Sequence, residues 1–355
     1  MSESGDTEFP EKIIEYMQGF LVSEALFSAS KLGVFDILLN SKTPLSCDDI
    51  AKQACCSVDG MDKLLTACVG LKLLNVTQEN GKYLYSNSHH SQMYLGKSSP
   101  KSLYEITRFL SDNVCHLTFY MADSIREGKP QYNKIFKMDH EDTFSFKYIF
   151  RSEEETFKFV NCMDTIWKFC GKEVVTAFDL TDFKNVCDVG GCSGAIAKLC
   201  ISEYPKSKVT IFDLPEAVSM AKAHFVLPTE ERISFHKGDF FKDPVPLADL
   251  YILARTLNDW KDDECLVILK NIYQSCKPGG AVLIIETFLN EDKSGPVQSQ
   301  LYSLVMQVAT VGKQRTLSEH SKLLIMAGFQ NIETRRTGKL YDAILARKPI
   351  ETGPC

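Results

Sequence analysis

The sequence predicts an α/β protein in two parts: a mainly helical first part, then an open sheet with ligand positions at its strand ends. Three observations carry this. The length, 355 residues, exceeds one ordinary domain. From about residue 183, short apolar runs alternate with helical patterns. The first of those runs leads into a glycine-rich turn, Asp188-Val189-Gly190-Gly191-Cys192-Ser193-Gly194, where a strand gives way to a helix.

In the first part, Ile13, Ile14, Met17, Phe20 and Leu21 begin an apolar stripe that runs on through Leu26, Phe27 and Leu32. Ser46-x-x-Asp49 marks a helix start before Ile50 and Ala51. A second helix is predicted from Val58 to Leu71, with Met61, Leu64, Leu65, Cys68 and Val69 at helical spacing. Asn80-Gly81 lies between the β-type runs Asn75-Val76-Thr77 and Tyr83-Leu84-Tyr85, a strong hairpin signal. Helix, helix, hairpin is a winged-helix order. Its second helix sets Asp59 and Asp62 against Lys63 and Lys72, which is no phosphate-binding face. The net charge of −6 points the same way. A dimerisation or packing role is expected, with no nucleic-acid partner. Residues 106–170 read as connecting helices. Their aromatics, Phe144, Phe150 and Trp167 among them, suit a core or the wall of a planar-ligand pocket.

The second part supplies six strand-like runs: 186–189, 209–212, 233–235, 250–253, 281–285 and 341–345. Between the fourth and fifth, Cys265, Ile268, Leu269, Ile272, Tyr273 and Cys276 keep helical spacing. Lys277-Pro278-Gly279-Gly280 stops that helix. Thr316-x-x-Glu319 is a capping box for another, ended by Gly328.

Ligand chemistry gathers at three consecutive strand ends. The glycines at 190, 191 and 194 let backbone approach a ligand closely and leave helix N–H groups available. Asp213 ends the second strand, at the spacing where a carboxylate accepts hydrogen bonds from ribose hydroxyls. Gly238-Asp239-Phe240 ends the third, an acid beside an aromatic, suited to an adenine amino group and ring face. The G-x-G-x-x-G spacing of a nicotinamide-dinucleotide domain is not met, which favours S-adenosylmethionine.

Composition sets the remaining expectations. Thirteen cysteines include no C-x-x-C pair, so no metal site or thioredoxin-type centre is expected. Cys68, Cys187, Cys200, Cys265 and Cys276 fall inside apolar patterns, as reduced packing thiols of a cytoplasmic protein would. The acidic start, Met1-Ser2-Glu3-Ser4-Gly5-Asp6, is expected to be neither a secretory signal nor a transit peptide. Runs such as Ala281–Ile285 are too short to span a bilayer, so no membrane partner is expected. Cys355, with no residues after it here, is not expected to be a prenylation box.

With these residues in view, the chain resembles the caffeate/hydroxyindole-type S-adenosylmethionine-dependent O-methyltransferases, on their acetylserotonin O-methyltransferase branch. The resemblance runs from Gly19-Phe20-Leu21-Val22-Ser23 to Ala346-Arg347-Lys348. It includes Leu32-Gly33-Val34-Phe35-Asp36, Gly238-Asp239-Phe240-Phe241-Lys242-Asp243 and Asp249-Leu250-Tyr251-Ile252-Leu253-Ala254-Arg255. It implies a class I Rossmann-like methyltransferase fold with a seven-stranded sheet and an N-terminal winged-helix dimerisation domain. The limits would be 1–105 for that domain, 106–170 for the connecting helices, 171–348 for the methyltransferase domain and 349–355 for a tail. It further implies an intertwined homodimer. Cofactor roles would fall on Phe150, Trp167, Gly190, Cys192, Asp213, Gly238, Asp239, Phe240 and Arg255.

The departures from the family are concentrated where the acceptor would sit. The family's His-Asp-Trp, whose His is the general base, is here Asn258-Asp259-Trp260. Family Asn, Gln and Glu positions on the substrate helix are Val305, Ala309 and Val311, around a retained Met306. Cys192 stands at the middle glycine of the cofactor loop, and Glu286, a family acid near the base, is kept. A phenol-like hydroxyl has a pKa near ~10, so only about one in a thousand is ionised at neutral pH. A positioned base supplies ~10²–10⁴ in rate, and proximity can supply ~7–11 kcal/mol. The expectation is therefore methyl transfer to a small aromatic acceptor other than N-acetylserotonin, with Asn258, Asp259 and Glu286 as catalytic positions. One alternative is an N-methyltransferase whose acceptor nitrogen needs no base. The other is a catalytically degenerate homologue that binds a ligand or partner. His116 and His320 are candidate replacement bases.

Overall fold

A computed structural model of the protein describes residues 10–136, 146 and 148–350. Phe144, Cys355 and the six residues at the start of the chain lie outside them. The chain forms two compact units, Met1–Ser111 and Asp112–Cys355.

The first unit packs the helices Glu11–Lys31, Val34–Asn40, Cys47–Gln53 and Val58–Gly70 with a small sheet of β1 (Leu45–Ser46), β2 (Leu74–Glu79) and β3 (Lys82–Asn87). Its core holds Ala29, Phe35, Ile50, Met61, Leu65 and Leu74. The Ser46 hydroxyl accepts the Asp49 N–H at 3.2 Å, so the expected helix start is a working cap. β2 and β3 pair antiparallel up to Glu79 and Lys82, leaving Asn80 and Gly81 as a two-residue turn with φ of 50° and 77°. Both positive values are what such a hairpin turn demands. The sequence does not announce β1, which is two residues long and pairs with the free side of β3. On the first helix, Ile13, Tyr16, Met17, Phe20 and Leu21 are each 55–70% exposed.

The second unit is built on a seven-stranded sheet of β4 (Asn185–Val189), β5 (Lys208–Asp213), β6 (Ile233–Lys237), β7 (Ala248–Ala254), β8 (Cys276–Glu286), β11 (Gln330–Arg335) and β12 (Asp342–Arg347). Its order is β11-β12-β8-β7-β4-β5-β6. The strands from β8 to β6 run parallel, while β12 and β11 pair antiparallel. Two further short strands, β9 (Phe288–Leu289) and β10 (Arg315–Thr316), form a parallel pair of their own. Side chains alternate between two cores. Val186, Leu250 and Leu283 meet the helices Glu153–Val175 and Ala195–Glu203. Cys187, Tyr251 and Val282 meet the helices Asp262–Ser275 and Leu317–Ala327. Burial on both faces explains why the central strands read as unbroken apolar runs.

Six of the seven strands match apolar runs of the sequence. The seventh, β11, is an edge strand whose residues other than Ile332 are exposed, so its sequence, Gln330-Asn331-Ile332-Glu333-Thr334-Arg335, carries no apolar signal. The helix after β10 opens with the full capping box. Thr316 Oγ1 accepts the Glu319 N–H at 3.2 Å, and Glu319 Oε2 accepts the Thr316 N–H at 2.8 Å. Among the described residues, no helix is long and apolar enough to cross a membrane. The chain connection reverses direction at β4, which lies between β5 and β7, and a crevice opens at the carboxyl ends of these strands.

Candidate active site

A cavity of about 590 Å³ lies at those strand ends. All nine positions expected to hold a cofactor line it: Phe150, Trp167, Gly190, Cys192, Asp213, Gly238, Asp239, Phe240 and Arg255. Asp259 lines it as well.

The floor is the turn after β4. Gly190 has φ of 71° and Gly194 of 74°, and Gly190 N–H bonds to the Phe212 carbonyl at 2.8 Å. A Cβ at Gly191 would come within 2.7 Å of the Asp188 carboxylate. Backbone, not side chain, therefore faces the cavity there. Cys192 is the exception: it holds φ of 49° with a side chain attached. Its N–H donates to Asp213 Oδ2 at 2.8 Å, and the Leu214 N–H donates to Asp213 Oδ1 at 2.7 Å. Each carboxylate oxygen keeps a further lone pair for a hydroxyl donor. Burial pushes Asp213 up to about 6, against these two N–H bonds, which favour its charged form. Burial, then the Asp213 charge, holds the Cys192 thiol well above the ordinary thiol range.

Beyond β6, Asp239 Oδ1 accepts the Phe241 N–H at 2.9 Å and Oδ2 pairs with Lys242 at 2.8 Å. The cavity wall is aromatic: Phe241 meets Trp260 edge-on with centroids 4.7 Å apart, and Phe146 stacks on Phe150 at 5.8 Å. Trp167 packs on Tyr341 at 5.1 Å. Arg255 follows β7 with φ of 56°, its N–H held by the Ile285 carbonyl at 2.9 Å. Its guanidinium donates to Met163 Sδ at 2.7 Å and lies 5.6 Å from the Tyr341 ring centre.

Met163 and Asp188 are among the cavity residues that the sequence does not single out. Met163 sits on a helix whose pattern suggests only packing. Asp188 carried a signal: an acid inside the apolar run of β4. It is 1% exposed, lines the cavity, and its Oδ2 has no hydrogen-bond partner. Burial, then Asp213, pushes its carboxyl up to about 7. A buried carboxylate oxygen without a donor suits the cationic end of a ligand. With the lone pairs of Asp213 and the ring faces beyond β6, the residues fit S-adenosylmethionine along its length.

The remaining expected positions, Asn258, Glu286, Val305, Met306 and Ala309, are not among the residues that line this cavity. Asn258 meets both Glu286 and Met306. Asn258 is 5% and Glu286 1% exposed. The Asn258 N–H donates to Glu286 Oε1 at 3.2 Å, and its amide nitrogen reaches Met306 Sδ at 3.3 Å. Its amide oxygen has no partner. Burial, then the charge of Asp259, pushes Glu286 up to about 8, so it is largely protonated at neutral pH. Val305 is half-buried and Ala309 buried, on the helix Val297–Ala309. Burial also raises Asp259, to about 7, with Arg255 opposing. The two histidines stand apart from the cavity: His116 is exposed, and His320 is buried against Phe288 and pushed down to about 3, too weak a base for neutral pH.

Comparison with known proteins agrees with this geometry. Residues 119–330 match the O-methyltransferase domain and residues 14–97 the O-methyltransferase dimerisation domain. The chain is 50% identical to the acetylserotonin O-methyltransferase of Gallus gallus over 348 residues, covering 98% of this chain and all of that one. The acetylserotonin O-methyltransferase of Homo sapiens is 46% identical, over 94% of this chain and 96% of its own. The solved structure of human N-acetylserotonin methyltransferase in complex with SAM superposes with a TM-score of 0.92 at 45% identity, over 98% of this chain and 100% of that one. The chain therefore belongs to the O-methyltransferase family, as an S-adenosylmethionine-dependent enzyme of the acetylserotonin O-methyltransferase type.

Proposed function

We propose that the protein methylates a small aromatic acceptor other than N-acetylserotonin, as a cytoplasmic homodimer. The observation that carries the catalytic part is the ring of strand-end groups, from the Gly190 turn through Asp213 to Asp239 and Phe240, around a single cavity. Bound S-adenosylmethionine supplies an electrophilic methyl group on its sulfonium. In this reading Gly190, Cys192 and Asp188 face the amino-acid end, Asp213 takes the ribose hydroxyls, and Gly238, Asp239 and Phe240 take the adenine. Phe150, Trp167 and Arg255 close the cavity over it and exclude water. Isothermal titration with S-adenosylhomocysteine tests this, and an absence of binding heat would sink it.

The acceptor is assigned to the side of Asp259, Asn258, Glu286, Val305, Met306 and Ala309. Asn258 takes no proton near neutral pH, and Glu286, largely protonated, is no better. Asp259 is the one titratable member of this group at the cavity wall. Its carboxylate is assigned the acceptor's proton. The apolar Val305 and Ala309 offer no hydrogen bond to an amide-bearing side chain, which supports an acceptor less polar than N-acetylserotonin. A second reading has its own support in Asn258: an acceptor nitrogen with its lone pair exposed needs no base before methyl transfer. Labelled-cofactor incubation with tissue extract, followed by mass spectrometry, identifies the methylated atom. A complete lack of product beside firm cofactor binding would instead support a degenerate ligand-binding homologue.

Homodimerisation is supported by the dimerisation-domain match and by the apolar outer face of the helix Glu11–Lys31. Ultracentrifugation showing a monomer at micromolar concentration would overturn it. A reducing compartment is supported by the described cysteines remaining thiols. Localisation by fractionation tests the cytoplasmic assignment. The functional division at 105, 170 and 348 is kept as part of this reading.

A further inference from the structure

The turn that carries Asn258 and Asp259 is braced by a group that does not line the cavity. Arg315, in β10, is 1% exposed and is the largest fully buried side chain among the described residues. An arginine stays charged in a protein, so burial is tolerated only when its donors are met. Nε and Nη2 meet Asp262 Oδ1 at 2.9 and 2.8 Å. Nη1 donates to the Leu257 carbonyl at 2.9 Å, and Nη2 to the Trp260 carbonyl at 2.7 Å. One planar group thus ties down the carbonyl just before Asn258 and the carbonyl just after Asp259. Leu257–Asp259 is a single helical turn whose own bonding reaches only the Leu257 carbonyl, through a long 3.3 Å bond from the Trp260 N–H, and leaves the Trp260 carbonyl to Arg315.

The same chain segment closes on the turn again at Gly312. A Cβ there would fall on the Asn258 carbonyl oxygen and come within 2.5 Å of the Asp259 carbonyl carbon and the Trp260 nitrogen. Backbone lies directly on backbone. The Cys265 thiol adds a contact to the Leu257 carbonyl at 3.2 Å. The turn is therefore fixed at both ends and along its back, while Asp259 and Trp260 face the cavity.

We propose that Arg315 is a positioning residue for methyl transfer: its guanidinium, anchored by Asp262, sets the placement of Asn258 and Asp259 against the acceptor. This rests on the reading that the turn faces the acceptor. Displacement by about 1 Å can cost ~10²-fold in rate even when binding survives. Lysine in place of Arg315 keeps the charge and loses the two-pronged grip.

The chain holds two tryptophans, and Trp260 is in the braced turn while Trp167 is not. Protein labelled with 5-fluorotryptophan gives one ¹⁹F resonance for each, assigned with a Trp167→Phe variant. Arg315→Lys is expected to shift or broaden the Trp260 resonance and leave that of Trp167 in place. The S-adenosylhomocysteine Kd stays within about 2-fold. Any turnover of N-acetylserotonin falls about 100-fold in kcat, with its KM within about 3-fold. An unmoved Trp260 resonance in folded Arg315→Lys overturns the proposal, and so do equal changes at both tryptophans, which mean general loosening. Should Arg315→Lys not fold, Asp262→Asn serves, since the Asp262 side chain is 54% exposed; a smaller shift confined to Trp260 supports the brace and none overturns it. If S-adenosylhomocysteine moves neither resonance of the unaltered protein, the cofactor reading fails, while the brace is still judged on Trp260.

Discussion

The two sides of the site are built differently. On the side of β4, β5 and β6, polar groups face an open cavity with capacity to spare: Asp188 has an oxygen without a donor, and Asp213 spends one lone pair of each oxygen on backbone N–H groups. On the side of Asn258 and Glu286, the polar groups are buried away from the cavity: the Asn258 N–H meets Glu286 and its amide nitrogen the sulfur of Met306, while its amide oxygen has no partner. The first is a surface prepared for one polar, invariant ligand. The second is mostly packed, and only Asp259 and the Trp260 ring bring it to the cavity. On the proposed assignment, cofactor recognition and acceptor recognition are separable, and the acceptor side can change without disturbing the other.

The largest expected effect breaks the acceptor side at its one titratable contact. If Asp259 takes the proton, Asp259→Asn lowers single-turnover methyl transfer by about 10²–10⁴, with S-adenosylhomocysteine binding nearly unchanged. The rate in the unaltered protein should rise with pH through about 7, where the Asp259 carboxyl ionises, and level off above it. The sign follows from the role: only the deprotonated carboxylate accepts a proton. A rate that survives Asp259→Asn, flat in pH, would point to an acceptor that needs no base.

The next effect breaks the cofactor side. Asp213→Ala removes the proposed ribose acceptor and leaves the Cys192 and Leu214 N–H groups without a partner. The S-adenosylhomocysteine Kd should rise about 100-fold, roughly 2.7 kcal/mol by calorimetry. A change under about 3-fold would mean that the ribose is held elsewhere.

These two sides were unequally legible in the sequence, for a physical reason. A parallel sheet places its ligand groups at strand ends, so Asp213 and Asp239 could be read from their place after an apolar run. Asp188 sits inside the apolar run of β4, one residue before its end, where an acid among buried side chains is the signal. The proposed acceptor side is assembled from a loop after β7, the end of β8 and the helix Val297–Ala309, and no periodicity connects them. Resemblance to the family supplied Asn258 and Glu286. Nothing local marked Arg315, because its partners Leu257 and Trp260 are backbone carbonyls, which any sequence would provide. β11 gives no signal for the opposite reason: its pairing is all backbone, and its side chains, Ile332 apart, face solvent.

Restoring the family base sharpens the contrast with a smaller effect. Asn258→His should raise N-acetylserotonin methylation by less than about 10-fold. Position 258 is 5% exposed and faces Met306 and Glu286, so a ring there lacks a direct path to the cavity. Val305 and Ala309 still offer no polar contact to the substrate. A gain above about 100-fold, measured with labelled cofactor, would show that the two sides meet more closely than this division holds.

The smallest effect lies at Cys192, where the resemblance to the family places a glycine. A non-glycine residue at φ of 49° bears a strain of about 1–2 kcal/mol, which glycine would relieve. Glycine also loosens the unfolded chain, which offsets about 0.4–1 kcal/mol of that gain. Thermal stability of Cys192→Gly should therefore change little. Binding is a separate matter, because the Cys192 N–H to Asp213 is a backbone bond and persists in the variant. What goes is the thiol, which lines the cavity and stays protonated because burial and Asp213 both oppose its charge. If that sulfur narrows the space above the Gly190 turn, the S-adenosylhomocysteine Kd tightens about 3-fold, roughly 0.7 kcal/mol. A weaker Kd would mean that the thiol packs on the bound cofactor, and that the cysteine fills the loop instead of crowding it.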